Sequence, residues 1–240
     1  MAGGAAALLP WRLARPAHLG PARLTARPAS PTGQVSPGRS ALGLGADRDG
    51  LLLVPQRYDP AAPCPLILAL HGATQEARTI ARQLGPYADD AGCILLAVDS
   101  RRITWDAING SYGPDVAFID RALAQTFARC SVNPAKVFVA GFSDGATYAL
   151  GLGLANGDLF RRIVALSPGF IPDADPERAG KPSLFISHGR SDPILPVTVT
   201  RLAIVPLLRQ EGYAVTYREF DGGHEVPPAV ARAAMAWLAG

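Results

Sequence analysis

The stretch VFVAGFSDGATYAL, residues 137–150, decides the fold class of this chain. Its first four residues are apolar and predict a strand, and the Ala-rich run that begins at Ala146 predicts a helix. Between them, residues 141–145 match the pattern G-x-S-x-G. In such a turn the serine adopts a strained backbone conformation, and the flanking glycines avoid collisions with the neighbouring strand and helix. The order strand, turn, helix therefore predicts that Ser143 projects from the carboxyl edge of a sheet as a candidate nucleophile.

Short apolar runs alternate with longer amphipathic stretches along the rest of the chain. This alternation predicts an α/β fold, in which helices flank a mostly parallel central sheet. The predicted strands are residues 51–54, 66–70, 94–98, 137–140, 163–166, 184–187 and 215–220. The predicted helices are residues 114–127, 146–154, 200–210 and 229–238, of which the third contains Pro206 and should be kinked or shortened.

A serine hydroxyl is nearly inert at neutral pH, so Ser143 needs a base and a carboxylate that orients the base. Only two histidines follow the G-x-S-x-G turn. His224 lies in a Gly-rich turn just after the last predicted strand, where its imidazole can reach the edge of the sheet. His188 ends the preceding predicted strand, and we expect it to be a structural residue whose ring is satisfied by loop backbone. His224 is therefore the predicted base.

Asp192 is the predicted acid because it lies in the loop after the penultimate predicted strand. The chain order Ser143, Asp192, His224 is the order expected of α/β-hydrolases. An alternative role for Asp192 is to cap the helix that follows it. Asp221 and Glu225 lie beside His224 in the sequence and are the rival carboxylates.

Two backbone N–H groups are predicted to hold the oxygen that becomes negative during acyl transfer. One belongs to Asp144, the residue after the nucleophile, and the other normally comes from the loop after the strand that ends here at His71. Ala73 is the expected second donor. His71 itself is expected to hold this loop by hydrogen bonding rather than to exchange protons.

The connection between residues 167 and 183 is too short for a helical cap, so the sequence predicts no large cap domain and an open, shallow site. A second long connection, residues 99–115, should lie over the sheet edge, although its Trp105 is equally compatible with a buried packing anchor. Apolar walls with few charges favour acyl or aryl esters over strongly ionic substrates. The candidate pocket residues are Trp105, Ile108, Tyr112, Phe170 and Ile171.

The net charge of +3 is distributed unevenly over the 240 residues. Residues 1–46 carry five arginines and no acidic residue, so the remaining 18 basic and 20 acidic residues give the rest of the chain a charge of −2. We therefore expect no nucleic-acid-binding face on the folded body. The first segment is also rich in Pro, Ala and Gly. We expect a poorly ordered, dispensable extension over residues 1–46, followed by a catalytic domain over residues 47–240.

No apolar run approaches the length of a membrane span, and the expected compartment is the cytoplasm. Whether residues 1–46 are a targeting signal, a tail or a misassigned start is left open. Cys64, Cys93 and Cys130 form no Cys-x-x-Cys pair, and the last two are expected to be small buried hydrophobic residues. The sequence predicts no metal site and no cofactor. The expected partner is a small-molecule ester, and a homodimer is left open.

Four segments together resemble the α/β-hydrolase superfamily. They are HGATQ at residues 71–75, GFSDG at 141–145, HGRSDPILP at 188–196 and GGH at 222–224. More narrowly, the chain from about residue 50 to residue 238 resembles the phospholipase/carboxylesterase and dienelactone-hydrolase-like members. Residues 71–75 are also similar to polyhydroxybutyrate depolymerases and feruloyl esterases.

The resemblance implies an ester hydrolase without metal or organic cofactor, with Ser143 as nucleophile, His224 as base and Asp192 as acid. Dienelactone hydrolases have cysteine where Ser143 stands, which argues against that activity. The predicted function is a carboxylesterase on short to medium acyl or aryl esters. The alternatives are an enzyme like the lysophospholipases or acyl-protein thioesterases, and a feruloyl or polyhydroxybutyrate-type esterase. A peptidase and a non-catalytic binding protein of the same fold are less favoured.

Overall fold

The computed structural model describes residues 22–172 and 178–240, which are built around one eight-stranded sheet. The strands are β1 (Gly38–Ala41), β2 (Gly50–Val54), β3 (Cys64–Leu70), β4 (Ile94–Val98), β5 (Val132–Phe142), β6 (Arg162–Leu166), β7 (Ser183–Gly189) and β8 (Val215–Phe220). Their order in the sheet is β1-β2-β4-β3-β5-β6-β7-β8. The β1–β2 and β2–β4 pairings are antiparallel, and all the others are parallel.

Helices cover both faces of the sheet, because successive strand residues alternate between two apolar cores. Leu66 and Leu68 belong to one core, whereas Ile67 and Ala69 belong to the other. The helices are α1 (Ala77–Asp90), α2 (Pro114–Arg129), α3 (Asp144–Ala155), α4 (Val197–Val199, a π-helical stretch Thr200–Ile204 and Val205–Gln210) and α5 (Pro228–Ala239). Side chains of α2, α3 and α4 fill the first core, and those of α1 and α5 fill the second. The mostly parallel α/β-hydrolase fold predicted from the sequence is thereby confirmed.

The parallel strands bring the predicted site residues to one edge of the sheet. His71 directly follows β3, Ser143 follows β5, Asp192 lies after β7 and His224 lies after β8. Because the strands run in the same direction, their carboxyl ends meet at the same edge. In the described part of the connection between β6 and β7 there is no helix.

The sequence does not predict α1, although this helix packs against the sheet. Pro86 lies inside it and removes a backbone donor, which weakens the local signal for a helix. Ile80, Ala81 and Leu84 nevertheless lie on one buried face at helical spacing. Tertiary packing therefore outweighs the proline.

The N-terminal residues differ most from the prediction. Residues 22–33, here called the strap, run across the described body, and the next segment enters the sheet as β1. Ala22 and Leu24 are buried. The buried Asn156 side chain accepts a hydrogen bond from Leu24 N–H at 2.8 Å and donates one to Ala22 O at 2.7 Å. Residues 22–46 are therefore part of the domain, and the rest of the predicted extension lies outside the described residues.

Complementary charge explains why this basic segment lies where it does. Arg23 and Arg27 both form ion pairs with Asp158, at 3.2 Å and 2.6 Å. Asp120 of α2 accepts hydrogen bonds from the backbone N–H groups of Thr25 and Ala26. The strap therefore supplies arginine side chains and backbone N–H groups, and Asp158 and Asp120 of the body bind them.

Candidate active site

Ser143 lies on a sharp turn between β5 and α3, with φ 57° and ψ −122°. Both glycines of the motif are required by close backbone approach. A Cβ on Gly141 would lie 2.1 Å from Gly145 O, and a Cβ on Gly145 would lie 2.2 Å from Leu70 O. The backbone N–H of Ser143 donates to Leu166 O of β6 at 2.9 Å, which ties the turn to the sheet. The local sequence therefore creates the strained position that was predicted for it.

A continuous chain of hydrogen bonds joins the three residues predicted as nucleophile, base and acid. Ser143 Oγ lies 2.8 Å from His224 Nε2, and His224 Nδ1 lies 2.7 Å from Asp192 Oδ2. An ionised carboxylate only accepts, so Nδ1 carries the proton and Nε2 is free to accept the serine proton. The side chain of Asp192 is fully buried, whereas 15% of His224 remains exposed. The arrangement has the geometry of an activated serine.

The carboxylate of Asp192 is saturated with donors. Its Oδ1 accepts from the N–H groups of Ile194 and Leu195, both at 2.9 Å. Its Oδ2 contacts two imidazoles, because it lies 2.7 Å from His224 Nδ1 and 3.2 Å from His188 Nε2. Burial by itself raises the pKa of Asp192, but these hydrogen bonds outweigh burial and hold the pKa below its ordinary value. Asp192 is therefore a stable anion beside the candidate base.

The two rival carboxylates are engaged elsewhere. Asp221 forms an ion pair with Arg190 at 2.5 Å, and 90% of its side chain is exposed. Glu225 accepts from the N–H of Gly223 at 3.4 Å. Both lie within three residues of His224 in the sequence, but Nδ1 of His224 contacts Asp192 instead.

The loop after β3 lies directly beside the nucleophile. A Cβ added to Gly72 would lie 3.3 Å from Ser143 Cβ, so the Gly72 backbone approaches the serine closely. Thr74 has φ 61°, and its N–H donates to Ile103 O at 2.8 Å. The N–H of Ala73 has no hydrogen-bond acceptor among the described residues. Ala73 in this loop and Asp144, the first residue of α3, remain the candidate oxyanion donors.

His71 holds this loop through backbone contacts. Its Nδ1–H donates to Gly72 O at 2.7 Å, and its Nε2 accepts from the N–H of Ser100 at 3.0 Å. Burial lowers the pKa of His71, partly opposed by its hydrogen bond to Gly72. The ring is therefore neutral at pH 7, and both its nitrogens are occupied by the backbone.

Arg48 also supports the loop after β3, residues 71–75, here called the oxyanion loop. The sequence gives no signal that would single out Arg48. Its guanidinium donates to Gln75 O at 3.0 Å, to Ser100 Oγ at 3.3 Å and to Ser100 O. Gln75 in turn accepts from the N–H of Gly72 at 3.2 Å. Arg48 therefore links the loop after β3 to the loop after β4.

Two of the predicted pocket residues, Trp105 and Tyr112, lie in the core. Trp105 is fully buried, and its indole N–H donates to His71 O at 2.8 Å while its ring packs between His71 and Tyr148. Tyr112 is also buried and packs against Tyr148. These aromatic side chains bury most of their area in the core, so neither is a pocket wall in this conformation.

The other three predicted pocket residues lie nearer to solvent. Ile108 and Ile171 are partly buried against the core, and Phe170 is 43% exposed. The loop of Phe170 is tied to α3, because the N–H of Gly169 donates to Thr147 Oγ1 at 2.9 Å. Phe170 is therefore the predicted wall residue that the structure leaves accessible.

Two exposed apolar residues outside the predicted pocket set lie on loops next to the candidate site residues. Ile103 is 67% exposed on the loop that accepts a hydrogen bond from Thr74, and Ile194 is 65% exposed two residues after Asp192. Two cavities of about 280 and 340 Å³ lie elsewhere, the first between β2 and α1 and the second beside the end of α5. No residue of the Ser143–His224–Asp192 chain lines either of them.

Three further features concern metal, thiol and membrane chemistry. The part of the chain that the structure describes contains no group of three or more His, Cys, Asp or Glu residues able to hold a metal ion. Cys64, Cys93 and Cys130 are buried, and burial raises the pKa of the last two thiols to about 11. Within residues 22–172 and 178–240, no helix has the length and apolarity needed to cross a bilayer.

Comparison with protein families gives a match to the family described as Phospholipase/Carboxylesterase, over residues 108–239. The matched region is more than half of the chain. It includes Ser143, the loop that carries Asp192 and the turn that carries His224.

Among curated proteins, the chain is similar to enzymes named feruloyl esterase C. A probable feruloyl esterase C of Aspergillus oryzae is 31% identical over 158 residues, which are 62% of this chain and 57% of that protein. A second, from Aspergillus flavus, is 27% identical over 215 residues, which are 76% of this chain and 78% of that protein. The chain thus aligns with little more than half of the A. oryzae relative.

Solved structures share the fold at low sequence identity. Esterase PE8 superposes with a TM-score of 0.63 and 24% identity, over 80% of this chain and 98% of that one. The Bacillus cereus carboxylesterase gives a TM-score of 0.61 and 20% identity, over 81% and 94% of the two chains. FphF, a fluorophosphonate-binding serine hydrolase of Staphylococcus aureus, gives 0.67 and 15% identity, over 86% of this chain and all of that one.

Proposed function

Because this chain belongs to the phospholipase/carboxylesterase family, we propose that it is a serine hydrolase that cleaves carboxylic esters through an acyl-enzyme. The observation that carries the proposal is the continuous hydrogen-bonded chain from Ser143 Oγ through His224 to the buried anion of Asp192. A serine that lies in a strained turn and contacts an oriented imidazole is the arrangement that nucleophilic catalysis requires.

In the first half of the reaction, Ser143 Oγ attacks the ester carbonyl carbon and its proton passes to His224 Nε2. The carbonyl oxygen becomes an oxyanion, which accepts hydrogen bonds from the N–H groups of Ala73 and Asp144. His224 then protonates the departing alkoxide, and the acyl group remains on Ser143. Asp192 stabilises the imidazolium in both proton transfers and itself stays ionised.

In the second half, water takes the place of the alcohol. His224 removes a proton from water, the resulting hydroxide attacks the acyl carbon, and the oxyanion forms again between the same two N–H groups. Collapse of this intermediate breaks the bond to Ser143 Oγ, which recovers its proton from His224. The acid leaves, and the enzyme is restored without any cofactor.

The substrate that we propose is a small ester with an apolar acyl or aryl group. Exposed apolar side chains on three loops near the candidate site, Ile103, Phe170 and Ile194, favour such groups. The feruloyl esterase C relatives favour the aryl option. Lysophospholipids and acyl thioesters remain the alternative substrates. We propose the cytoplasm as the compartment, and the oligomeric state stays open.

The first experiment tests the nucleophile. A fluorophosphonate probe should label the wild-type protein at Ser143, and Ser143→Ala should abolish both the labelling and the hydrolysis of p-nitrophenyl butyrate. Ser36→Ala, which changes an exposed serine in the segment before β1, is the matched control and should behave like wild type. Hydrolysis that survives Ser143→Ala would overturn the proposed function.

A second experiment separates the substrate classes. Initial rates are compared for p-nitrophenyl esters from acetyl to dodecanoyl, methyl ferulate, a lysophosphatidylcholine and an acyl thioester. A preference for methyl ferulate and short acyl groups supports the proposed substrate, whereas a preference for lysophosphatidylcholine or the thioester supports the alternative.

A further inference from the structure

We propose that His188 is a positioning residue of the active site that holds Asp192 and lowers the basicity of His224. The inference rests on the proposed function, because it concerns the same hydrogen-bonded chain. Its basis is that two imidazoles share one carboxylate oxygen: Asp192 Oδ2 lies 2.7 Å from His224 Nδ1 and 3.2 Å from His188 Nε2.

The surroundings of His188 determine which of its nitrogens carries the proton. Nε2 lies 2.8 Å from Leu195 O as well as 3.2 Å from Asp192 Oδ2, and both of these atoms only accept. Nε2 must therefore be protonated. Nδ1 lies 2.8 Å from Thr200 Oγ1, and Pro168 O is a second acceptor for the same hydroxyl at 3.4 Å. The shorter contact favours donation from Thr200 to Nδ1. In this tautomer Nε2 donates a hydrogen bond and Nδ1 accepts one. Both nitrogens of a neutral imidazole are then satisfied.

Burial favours the same neutral state. His188 is fully buried at the end of β7, and burial lowers its pKa although Leu195 and Asp192 oppose this effect. The charged groups on the neighbouring elements are paired among themselves. Glu219, opposite His188 on β8, binds Arg201 of α4 at 2.6 Å and Arg190 at 3.3 Å. His188 is therefore a neutral N–H donor that lies 3.2 Å from the carboxylate of Asp192.

This donor has two effects on catalysis. It fixes Oδ2 between two rings, so that the lone pair used by His224 keeps its direction. It also withdraws part of the negative charge of Asp192 from His224, because each hydrogen bond to a carboxylate stabilises its charge. Without it, Asp192 attracts the imidazolium form of His224 more strongly.

The two substitutions of choice differ only in whether they keep the donor. His188→Phe keeps an aromatic ring but removes the N–H, whereas His188→Gln can place an amide N–H near the original Nε2. The readout is the pH dependence of fluorophosphonate labelling at Ser143, which needs no knowledge of the substrate. For His188→Phe we expect the acid limb of this profile to move up by about 0.5 pH unit. We also expect the maximal labelling rate to fall about tenfold. His188→Gln should restore the wild-type acid limb.

Ser187→Ala is the matched control. Ser187 precedes His188 on β7 and is equally buried, and its hydroxyl has no hydrogen-bond partner among the described residues. This variant should keep the wild-type profile. An unchanged acid limb in His188→Phe would overturn the inference, as would an equal shift in Ser187→Ala.

A measurement on the wild-type protein keeps the inference testable if His188→Phe fails to fold. Spectra of protein labelled with ¹⁵N-histidine should show His188 at neutral pH as a neutral ring protonated at Nε2. A proton on Nδ1 alone would remove the donor to Asp192 and overturn the inference. Failure of wild-type Ser143 to react with the probe would instead refute the proposed function, and the spectra would still test the hydrogen bond.

Discussion

The hydrogen bonds of Asp192 differ from those of Asp221, the carboxylate that competes with it for the role of acid. Asp192 is buried and receives donors at both oxygens, from two backbone N–H groups and from His224, and His188 Nε2 lies 3.2 Å from it. Asp221, three residues before His224, is exposed and bound to Arg190. Only a carboxylate against Nδ1 can keep the imidazole in the tautomer that accepts the serine proton.

Exchange of each carboxylate for an amide should therefore have very different effects. We expect Asp192→Asn to lower kcat for p-nitrophenyl butyrate by about a thousandfold or more, because an amide donor there favours the wrong tautomer of His224. Asp221→Asn should leave kcat within about a factor of two, because its ion pair is exposed. Steady-state kinetics at one pH decide the matter, and the reverse pattern would reassign the acid.

Asp115 is a buried carboxylate close to the site but outside the proposed chemistry. It lies in the first turn of α2 and accepts hydrogen bonds from the backbone N–H groups of Arg101 and Asp106. Burial raises its pKa from 3.8 to about 6, more than these hydrogen bonds lower it. The folded state therefore binds this proton more tightly than the unfolded state does.

The raised pKa predicts how stability depends on pH. The contribution of Asp115 is fully present below its unfolded pKa of 3.8 and is lost as the pH rises through about 6. Between about pH 4 and about pH 7, wild type should lose up to about 3 kcal/mol more unfolding free energy than Asp115→Asn does. Urea unfolding at several pH values measures the difference. Curves that stay parallel would contradict the raised pKa.

At the scale of elements, loops rather than helices or strands hold the reacting groups. The oxyanion loop after β3 is fixed by contacts from three other segments. Arg48 reaches it from before β2, Ser100 from after β4, and Trp105 from the following loop. The direction of the Ala73 N–H therefore depends on residues that do not touch the substrate.

Removal of the Arg48 side chain should loosen this loop. We expect Arg48→Ala to lower kcat about tenfold with little change in KM, because an oxyanion donor acts mainly in the transition state. The affinity of a boronic acid transition-state analogue should fall by a similar factor. Arg57→Ala is the control, because Arg57 is exposed and also donates to a backbone carbonyl, that of Asp90. A rise in KM alone would argue against this role for Arg48.

At the scale of the whole molecule, the strap binds residues that lie more than 90 positions away in the sequence. Asn156 is fully buried and joins the strap to the end of α3, because it bonds Leu24 N–H, Ala22 O and Leu152 O. A lost partner would leave buried backbone groups unsatisfied. Deletion of residues 1–46 would also remove β1 and expose β2 as an edge strand.

The strap therefore predicts a loss of stability when its anchor is removed. We expect Asn156→Ala to lower the free energy of unfolding by about 2 to 4 kcal/mol, because two buried groups of the strap lose their partners. Asn133→Ala is the control, since Asn133 accepts only from the N–H of Ala135 at an exposed site. Urea unfolding of both variants gives the comparison, and equal effects would show that the strap is not anchored through Asn156.

The turn at residues 141–145, the strands and the candidate residues Ser143, Asp192 and His224 could be predicted because their signals are local. A strand buried on both faces is apolar throughout, and a residue that follows such a strand lies at the edge of the sheet. Ser143 and Asp192 come after strands of this kind, and His224 comes after the edge strand β8. By contrast, Trp105 and Phe170 lie in similar apolar loops, and only one of them is exposed. Loop composition alone does not determine which side chain enters the core.

The sequence by itself determined the class of sheet, the elbow and the residues available as nucleophile, base and acid, because strand periodicity and turn glycines are properties of short segments. Only the tertiary structure decided which carboxylate reaches His224, that His188 shares it, and that the strap belongs to the domain. Those contacts join residues far apart in the chain, such as Leu24 with Asn156. They form where the packed sheet brings matching donors and acceptors together, and no local pattern records that match.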